Sequence, residues 1–200
     1  MCPNHLIAIG MAPTNFNSAP TVPVFERRWG AILTADVVEY SRLTSVDEEQ
    51  TYVLYQSHRR EVLNPKTRQY GARFLKSTGD GILAEFETPI DAARCAIDVQ
   101  QSMVERCRGI PKDSRIIFRI GLSYGRILVD PEDIYGHHVN VAARLQTIAP
   151  LGGIAMSGQV AACVQQALSL QLEDMGEYRF HNMSSAVRVF QCRFYHYAVS

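Results

Sequence analysis

Two aspartates, Asp36 and Asp80, each stand where a predicted strand meets a turn. Asp36 follows the apolar run of residues 31–35, and Asp80 lies in a Ser-Thr-Gly-Asp-Gly turn between two further apolar runs. If these strands are neighbours, both carboxylates reach one edge of a sheet, where oxygen ligands suit Mg²⁺ or Mn²⁺. Two such ions can activate an attacking hydroxyl and stabilise a leaving phosphate oxygen. Taken alone, an aspartate in such a position more often serves only the turn.

A second candidate group lies on a helix that the sequence predicts from Gly136 to about Ile148. Asn140 and Arg144 are one helical turn apart and share a face. An amide and a guanidinium directed at one point suit the negative charge that develops on a phosphoryl group during its transfer. For this helix by itself, an exposed Asn and Arg on an amphipathic surface is the more ordinary explanation.

The elements that position these residues follow from the apolar pattern. A buried strand runs into Asp36, and a helix from about Val46 is predicted to end at Asn64-Pro65, because the residue before a proline disfavours helix. The hairpin that follows carries Asp80 at its tip. Thr88 then caps a second helix, and a long strand comes next with alternate apolar residues on one face: Ile116, Phe118, Ile120 and Leu122.

The order strand, helix, hairpin, helix, strand predicts an α+β fold with a ferredoxin-like βαββαβ core. Strand-like segments near residues 154–156, 177–180 and 187–194, with a short helix from Ser157, extend this core at its C-terminal end. Residues 1–28 are rich in proline and polar residues without periodicity, and we expect a flexible leader there. Residues 29–196 are predicted to form one domain. The fold alone names no chemistry.

Composition excludes several classes of protein. Twenty basic residues balance twenty acidic ones in the 200-residue chain, which argues against non-specific binding of nucleic acid or of a membrane surface. No apolar run approaches the roughly 20 residues that span a bilayer. The five cysteines are odd in number and lack the paired spacing of zinc or redox sites. These features predict a reduced protein of the cytoplasm.

Four segments together resemble the class III adenylate and guanylate cyclases. They are LTADVVEYS at residues 33–41, LKSTGDG at 75–81, FRIGL at 118–122 and IYGHHVNVAARL at 134–145. The resemblance covers residues 28 to 194, with the motifs in the order and near the spacing of the family. Four motifs in combination are far more specific than any one of them.

The resemblance implies a role for each candidate residue. Asp36 and Asp80 would hold two divalent cations, Mg²⁺ or Mn²⁺, and the backbone after Asp36 would bind the triphosphate of ATP. Lys76 and Asp133 resemble the pair that contacts adenine in adenylate cyclases, whereas guanylate cyclases usually have glutamate at the lysine position.

Asn140 and Arg144 resemble the residues that orient the ribose and contact the phosphate in the transition state. The implied activity is that of a phosphorus–oxygen lyase forming 3′,5′-cyclic AMP and pyrophosphate, with ATP preferred over GTP. Because the family builds each site across two chains, the resemblance also implies a homodimer, and a regulatory module outside these residues is compatible with it.

Three histidines depart from the family pattern. His137 and His138 follow Gly136, where bacterial relatives usually have an acidic residue, and a helix N-terminus favours the neutral imidazole. We interpret both as ordinary surface residues in preference to a metal-ligand or pH-sensing pair. His181 aligns with a stretch where relatives often place a lysine for the triphosphate, although Arg179 is close by in sequence.

Two other functions are compatible with parts of this pattern. One is a weak or inactive cyclase-homology domain that binds nucleotide or a regulatory partner, which the His181 position favours and the six retained polar residues disfavour. The other is a diguanylate cyclase or a polymerase on a related fold. The hairpin lacks the Gly-Gly-Asp/Glu-Glu-Phe sequence of the former, and the balanced charge offers no template channel for the latter.

Overall fold

The computed structural model describes residues 25–183 and 185–194. The strands are β1 (Glu26–Val37), β2 (Phe74–Ser77), β3 (Gly81–Phe86), β4 (Phe118–Val129), β5 (Ile134–Tyr135), β6 (Ile154–Ser157), β7 (Glu173–Tyr178) and β8 (Val187–Cys192). The α-helices are α1 (Tyr40–Val46), α2 (Glu48–His58), α3 (Asn64–Gln69), α4 (Pro89–Arg106), α5 (His137–Ile148) and α6 (Gly158–Leu168). A π-helical turn spans Arg59–Leu63, and a 3₁₀ turn spans Lys112–Ser114.

All eight strands belong to one sheet, in the order β2-β3-β1-β4-β6-β8-β7, with β5 paired to the end of β4. The first four strands in this order, with α1–α3 and α4 as their crossovers, form the predicted βαββαβ core. The strands β6 and β8 and the helix α6 form the predicted C-terminal extension, whereas β7 overlaps the segment predicted near residues 177–180 only at its last two residues. The α+β fold class is therefore confirmed.

Strands β1 and β4 lie in the middle of the sheet, and their apolar side chains are buried there. Residues 30–35 of β1 are all buried, and Phe118, Ile120 and Leu122 of β4 are fully buried on the predicted face. The main core lies on that face, against α4 and α6. Helix α5 covers the opposite face, where Val141, Ala142 and Leu145 are buried.

The predicted end of the first long helical segment at Asn64-Pro65 is wrong. The chain stays helical as far as Gln69, with α3 directly following the π-helical turn. In that turn the N–H of Asn64 donates to the carbonyl of Arg59, a step of five residues. Since a proline has no N–H and its ring crowds the preceding turn, the wider π turn before Pro65 explains how the helix continues.

Strand β1 begins at Glu26, three residues before the domain boundary predicted at Trp29. Residues 1–24 of the predicted leader lie outside the described residues, and the division of the chain into leader and domain stays a prediction. In the part of the chain that the structure describes, no helix is both long enough and apolar enough to cross a membrane.

Candidate active site

Asp36 lies near the end of β1, at the edge of the sheet where β3 begins. It is in register with Gly81 of β3 on one side and with Arg119 of β4 on the other. The Arg119 guanidinium binds both carboxylate oxygens, through Nε at 3.1 Å and Nη2 at 2.6 Å. The Asp36 side chain nevertheless remains 20% exposed. The carboxylate is thus held in place by a cation and still accessible from solvent.

Asp80 lies beside Asp36 because the β2–β3 hairpin is attached to the end of β1. The N–H of Val37 donates to the carbonyl of Asp80 at 3.2 Å, and the N–H of Thr78 closes the turn on the carbonyl of Gly81 at 3.0 Å. Gly79 supplies the positive φ of 88° that the turn needs. Gly81 has a different reason to be glycine, since a Cβ there would lie 2.0 Å from the carbonyl oxygen of Ala35.

Tyr55 supports this hairpin from the helical layer, and sequence reasoning did not find it. Its hydroxyl donates to the carbonyl of Gly81 at 3.0 Å, and its ring is almost completely buried. Burial raises the pKa of the Tyr55 phenol above its ordinary value. The phenol therefore remains a hydrogen-bond donor at neutral pH and fixes the start of β3 next to the two aspartates.

Lys76 and Asp133 are 57 positions apart in sequence, and their side chains form an ion pair. Lys76 is opposite Leu83 in the β2–β3 pairing, and Leu83 packs with Ile134, the residue after Asp133, in one apolar cluster. The pairing lowers the pKa of Asp133 and raises that of Lys76. Both side chains are charged at neutral pH.

The backbone fixes the position of the Asp133 carboxylate independently of this pair. Its Oδ1 accepts from the N–H of Ile134 at 2.9 Å, and its own N–H donates to Oδ1 of Asp130 at 2.6 Å. Asp130 thereby folds the loop between β4 and β5 into a side-chain-closed turn. The carboxylate is presented to Lys76 by a loop that these hydrogen bonds hold in shape.

Asn140 and Arg144 lie on the outer surface of α5, and both are solvent-exposed. They are one turn apart on the helix, and Val141 and Leu145 beside them are buried against the sheet. The predicted division of this helix into an apolar inner face and a polar outer face is therefore observed. These two side chains face away from the core of their own chain.

The three histidines that depart from the family pattern occupy different environments. His137 and His181 are exposed. His138 is half-buried, and its Nδ1 is 3.0 Å from the hydroxyl of Ser123. Burial lowers the pKa of His138, with a smaller contribution from His137, so the expectation of a neutral imidazole agrees with this environment. His138 is not the ordinary surface residue that the sequence suggested.

Across residues 25–183 and 185–194, no three His, Cys, Asp or Glu side chains form a cluster that could hold a metal ion. Asp36 and Asp80 are two carboxylates at one accessible edge. Mg²⁺ is usually bound by one or two carboxylates together with substrate phosphates and water. The residues present therefore fit a divalent cation that is completed by oxygen atoms of a substrate.

Arg119 is the functional candidate that sequence reasoning did not single out, although it lies in one of the matching motifs. The alternation of Phe118, Ile120 and Leu122 already directs Arg119 to the face opposite the main core. Its Nη1 also donates to the carbonyl of Thr147 in α5 at 3.2 Å. Arg119 thus links the Asp36 carboxylate to the helix that carries Asn140 and Arg144.

The comparisons with known proteins agree on one family. The model of the family described as "Adenylate and Guanylate cyclase catalytic domain" matches residues 30–191. A putative adenylate cyclase 3 from Rhizobium meliloti is 38% identical over 163 residues, which are 82% of this chain and 28% of that protein. An adenylate cyclase from Streptomyces griseus is 27% identical over 128 residues, covering 64% of this chain and 30% of that one. The chain thus spans less than a third of the length of these two relatives.

Solved structures give the same result. An adenylate/guanylate cyclase/hydrolase from Silicibacter pomeroyi has a TM-score of 0.80 and 39% identity, and the match covers 84% of this chain and 98% of that one. The adenylyl cyclase CyaB from P. aeruginosa has a TM-score of 0.73 at 18% identity, over 86% and 96% of the two chains. At that identity the second likeness concerns the fold alone.

Proposed function

Since the chain belongs to the adenylate and guanylate cyclase catalytic domain family, we propose that it is an adenylate cyclase that acts as a homodimer. It converts ATP to 3′,5′-cyclic AMP and pyrophosphate with two divalent cations, Mg²⁺ or Mn²⁺. The observation that carries the proposal is the position of Asp36 and Asp80, side by side at one accessible edge of the sheet with Arg119 between that edge and α5.

Asp36 and Asp80 would hold the two cations, which would lower the pKa of the attacking hydroxyl and neutralise charge on the phosphates. The chain itself contributes position and charge. Arg119 lies against Asp36 and keeps that carboxylate oriented. As a fixed cation at the same edge, it also favours the approach of an anionic triphosphate. Since the nucleophile and the phosphorus belong to one ATP molecule, holding that molecule in an in-line geometry is the main requirement.

Lys76 and Asp133 select adenine. Adenine presents a ring nitrogen that accepts a hydrogen bond and an exocyclic amine that donates one. The Lys76 ammonium donates to the former, and the Asp133 carboxylate accepts from the latter. Guanine presents a donor and an acceptor in the opposite order on that edge. The ion pair between Lys76 and Asp133 opens to admit the base, and its two partners are already charged and adjacent.

Asn140 and Arg144 serve the partner chain. Both are exposed on the outer face of α5, where a second copy of the chain brings its own Asp36 and Asp80 opposite them. Asn140 orients the ribose, and Arg144 contacts the phosphate as charge develops there. A symmetric dimer then has two complete sites.

The test measures cyclic AMP and cyclic GMP formed by the purified protein from ATP or GTP, with Mg²⁺ or Mn²⁺. The variant is Asp80→Asn, and the matched control is Asp113→Asn, an exposed aspartate in the Lys112–Ser114 turn. We expect cyclic AMP from the native protein and the control, and none from Asp80→Asn. A folded dimer, shown by sedimentation, that forms neither product would instead identify an inactive domain that binds nucleotide or a regulatory partner.

A further inference from the structure

A cavity of about 430 Å³ lies beside the first turn of α5, on the side facing β6 and β8. Its walls come from β4, α5, the junction of β6 with α6, and β8 with the two residues before it. Its polar lining residues are Ser123, His137, His138, Ser157, Gln159, Ser185 and Arg188. None of the described lining residues is acidic. Asp36, Asp80, Lys76 and Asp133 are not among the lining residues either, so this cavity is distinct from the candidate active site.

Two helix N-termini meet at this cavity, and neither has a side-chain cap. The N-cap of α5 is Gly136, which has no side chain, and the N-cap of α6 is Ser157, whose hydroxyl makes no capping hydrogen bond. Neither helix has an acidic residue in its first turn. The first N–H groups and the positive ends of both helix dipoles are therefore uncompensated here.

The other long helices do not share this feature. Helix α2 is capped by Asp47 and has Glu48 and Glu49 in its first turn. Helix α4 is capped by Thr88, with Asp91 in its first turn. Uncompensated N-termini in this chain are thus confined to the two helices that line the cavity, among the described helices of eight residues or more.

Ser157 provides a second, independent observation at the same cavity. The residue is only 1% exposed and lines the cavity, and its Oγ has no hydrogen-bond partner within the described part of the chain. A buried hydroxyl without a hydrogen-bond partner is energetically unfavourable. An anion in the cavity would accept from this hydroxyl and from the N–H groups of the first turn of α6.

Arg188 and His138 add two further polar side chains to the cavity wall. Arg188 lies against the start of α6, since a Cβ on Gly158 would be 3.6 Å from the Cβ of Arg188. Its guanidinium is exposed and paired with Asp174, which is outside the cavity lining. His138 holds the hydroxyl of Ser123 in the cavity wall. The described lining thus combines hydroxyl, imidazole, amide and guanidinium side chains with apolar ones such as Val141 and Val187, and it includes no carboxylate.

We propose that this cavity binds a phosphate-type oxyanion between the N-termini of α5 and α6. Anions are bound well where helix N-termini present free N–H groups, and a volume in the range of small-molecule pockets, roughly 300–1,000 Å³, accommodates a phosphate monoester as well as inorganic phosphate. The site is separate from the proposed cyclase reaction and needs neither the metal carboxylates nor nucleotide.

The test is calorimetric titration of the full chain in buffer containing a chelator and no nucleotide, so that binding through metal ions or nucleotide at the candidate active site is excluded. Inorganic phosphate and glycerol 3-phosphate are titrated separately. Saturable binding of one anion per chain is expected for at least one of them. Tighter binding of the monoester indicates an organic phosphate as the ligand, and equal or weaker binding indicates free phosphate. No saturable binding of either anion overturns the proposal.

The key variant is Gln159→Glu, which places a carboxylate in the first turn of α6 without changing the size of the side chain. It should weaken anion binding by about tenfold or more through repulsion, and it should slightly raise thermal stability because it compensates the helix dipole. The matched control is Gln166→Glu, an exposed glutamine near the other end of the same helix. If both variants weakened anion binding equally, the effect would come from the change in net charge of the chain, and the proposed site would be overturned.

Ser157→Ala removes the unpaired hydroxyl. We expect anion binding to weaken about tenfold, by roughly the contribution of one charge-assisted hydrogen bond. Thermal stability without the anion should not fall, since the hydroxyl has no protein partner. Unchanged anion affinity in this variant would show that the hydroxyl does not contact the ligand and would contradict the proposed geometry.

Discussion

Two arginine–carboxylate clusters lie at opposite ends of strand β1 and are built from the same types of side chain. At one end Arg119 of β4 binds Asp36 of β1. At the other end Glu85 of β3 accepts from Arg28 of β1 at 3.0 Å and from Arg73, just before β2, at 2.7 Å. The difference is access: the Glu85 side chain is completely buried, whereas that of Asp36 is 20% exposed.

We propose that this difference in access separates a structural cluster from a functional one. A buried carboxylate must be fully paired, since the desolvation cost of an unpaired one is several kcal/mol. Glu85 meets this requirement with two cations, and Gly30 leaves room for it, because a Cβ there would lie 2.8 Å from its Oε1. Asp36 has one cation and solvent, so its remaining oxygen lone pairs are available to a metal ion. The comparison predicts that stability depends on Glu85 and activity on Asp36.

The largest expected effect is on catalysis, from Asp36→Asn. Removing one metal-binding charge should lower cyclic AMP formation by about a thousandfold, which corresponds to roughly 4 kcal/mol of transition-state stabilisation. The free energy of unfolding should change by no more than about 1 kcal/mol, because the pair with Arg119 is partly exposed. Turnover per folded protein and urea unfolding measure the two effects.

Asp113→Asn serves as the control for that measurement. A variant at Asp36 that keeps more than a tenth of native turnover while losing several kcal/mol of stability would reverse the proposed comparison. It would make this end of the sheet the structural one.

The next effect in size is on stability, from Glu85→Gln. Two arginines lose their charged partner in a buried setting, so the free energy of unfolding should fall by about 3 kcal/mol. Turnover per folded molecule should remain near native, since the residue lies at the far end of β3 from Asp80. Urea unfolding followed by fluorescence or circular dichroism gives the change.

Glu87→Gln is the matched control for Glu85→Gln. Glu87 is exposed and its carboxylate is 3.7 Å from the same Arg73, so its loss should cost about 0.5 kcal/mol or less. Similar losses for the two variants would show that burial does not determine the contribution of such pairs.

A third arginine-bound group, His58, tests what burial does when only one cation is present. Its Nδ1 accepts from Nε of Arg106 at 2.9 Å, and the residue is 4% exposed. Burial, with a further contribution from Arg106, lowers the pKa of His58 to about 4 from 6.5. Glu61 acts weakly in the opposite direction. Burial leaves this imidazole neutral, whereas Glu85 has two cations to balance a charge.

This pKa sets the direction of a pH effect on stability. Between pH 6.5 and about 4 the unfolded chain binds a proton at His58 and the folded chain does not. The contribution of the neutral imidazole to the free energy of unfolding is therefore complete above pH 6.5 and is lost as the pH falls to about 4, by roughly 3 kcal/mol in total. Urea unfolding as a function of pH measures this slope. His58→Gln should flatten it, and an unchanged slope would assign the effect to other groups.

The sequence was sufficient to predict the features of this molecule that depend on local rules. Thr88 was predicted as a helix cap, and its hydroxyl accepts from the N–H of Asp91 at 3.1 Å. The buried run in β1 and the apolar stripe of α5 were read from periodicity, because burial selects residue types at fixed spacing. The placement of Asp80 at a hairpin tip followed from the turn residues.

The features that depend on contacts between distant residues were not predictable from local rules. The Asp36–Arg119 and Glu85–Arg73 pairs require the strand register, which no local pattern contains. The pairing of Lys76 with Asp133 spans 57 positions and was expected only through resemblance to a family. At Pro65 the local rule gave the wrong answer, because a π-helical turn just before it accommodates the ring.

The smallest expected effect is the contribution of the Asp36–Arg119 pair to the free energy of unfolding, and it is tested by Arg119→Gln. Arg119 is 26% exposed and its partner Asp36 is 20% exposed, so solvent already screens the pair. The variant should lower the free energy of unfolding by at most about 1 kcal/mol, including the lost hydrogen bond to Thr147. The comparable variant at the buried Glu85 cluster is Arg73→Gln. It leaves Glu85 with a single cation and should lower the free energy of unfolding by more. A larger loss of unfolding free energy in Arg119→Gln than in Arg73→Gln would show that the Asp36 end of β1 depends on its ion pair for stability. Solvent access would then not distinguish the two clusters.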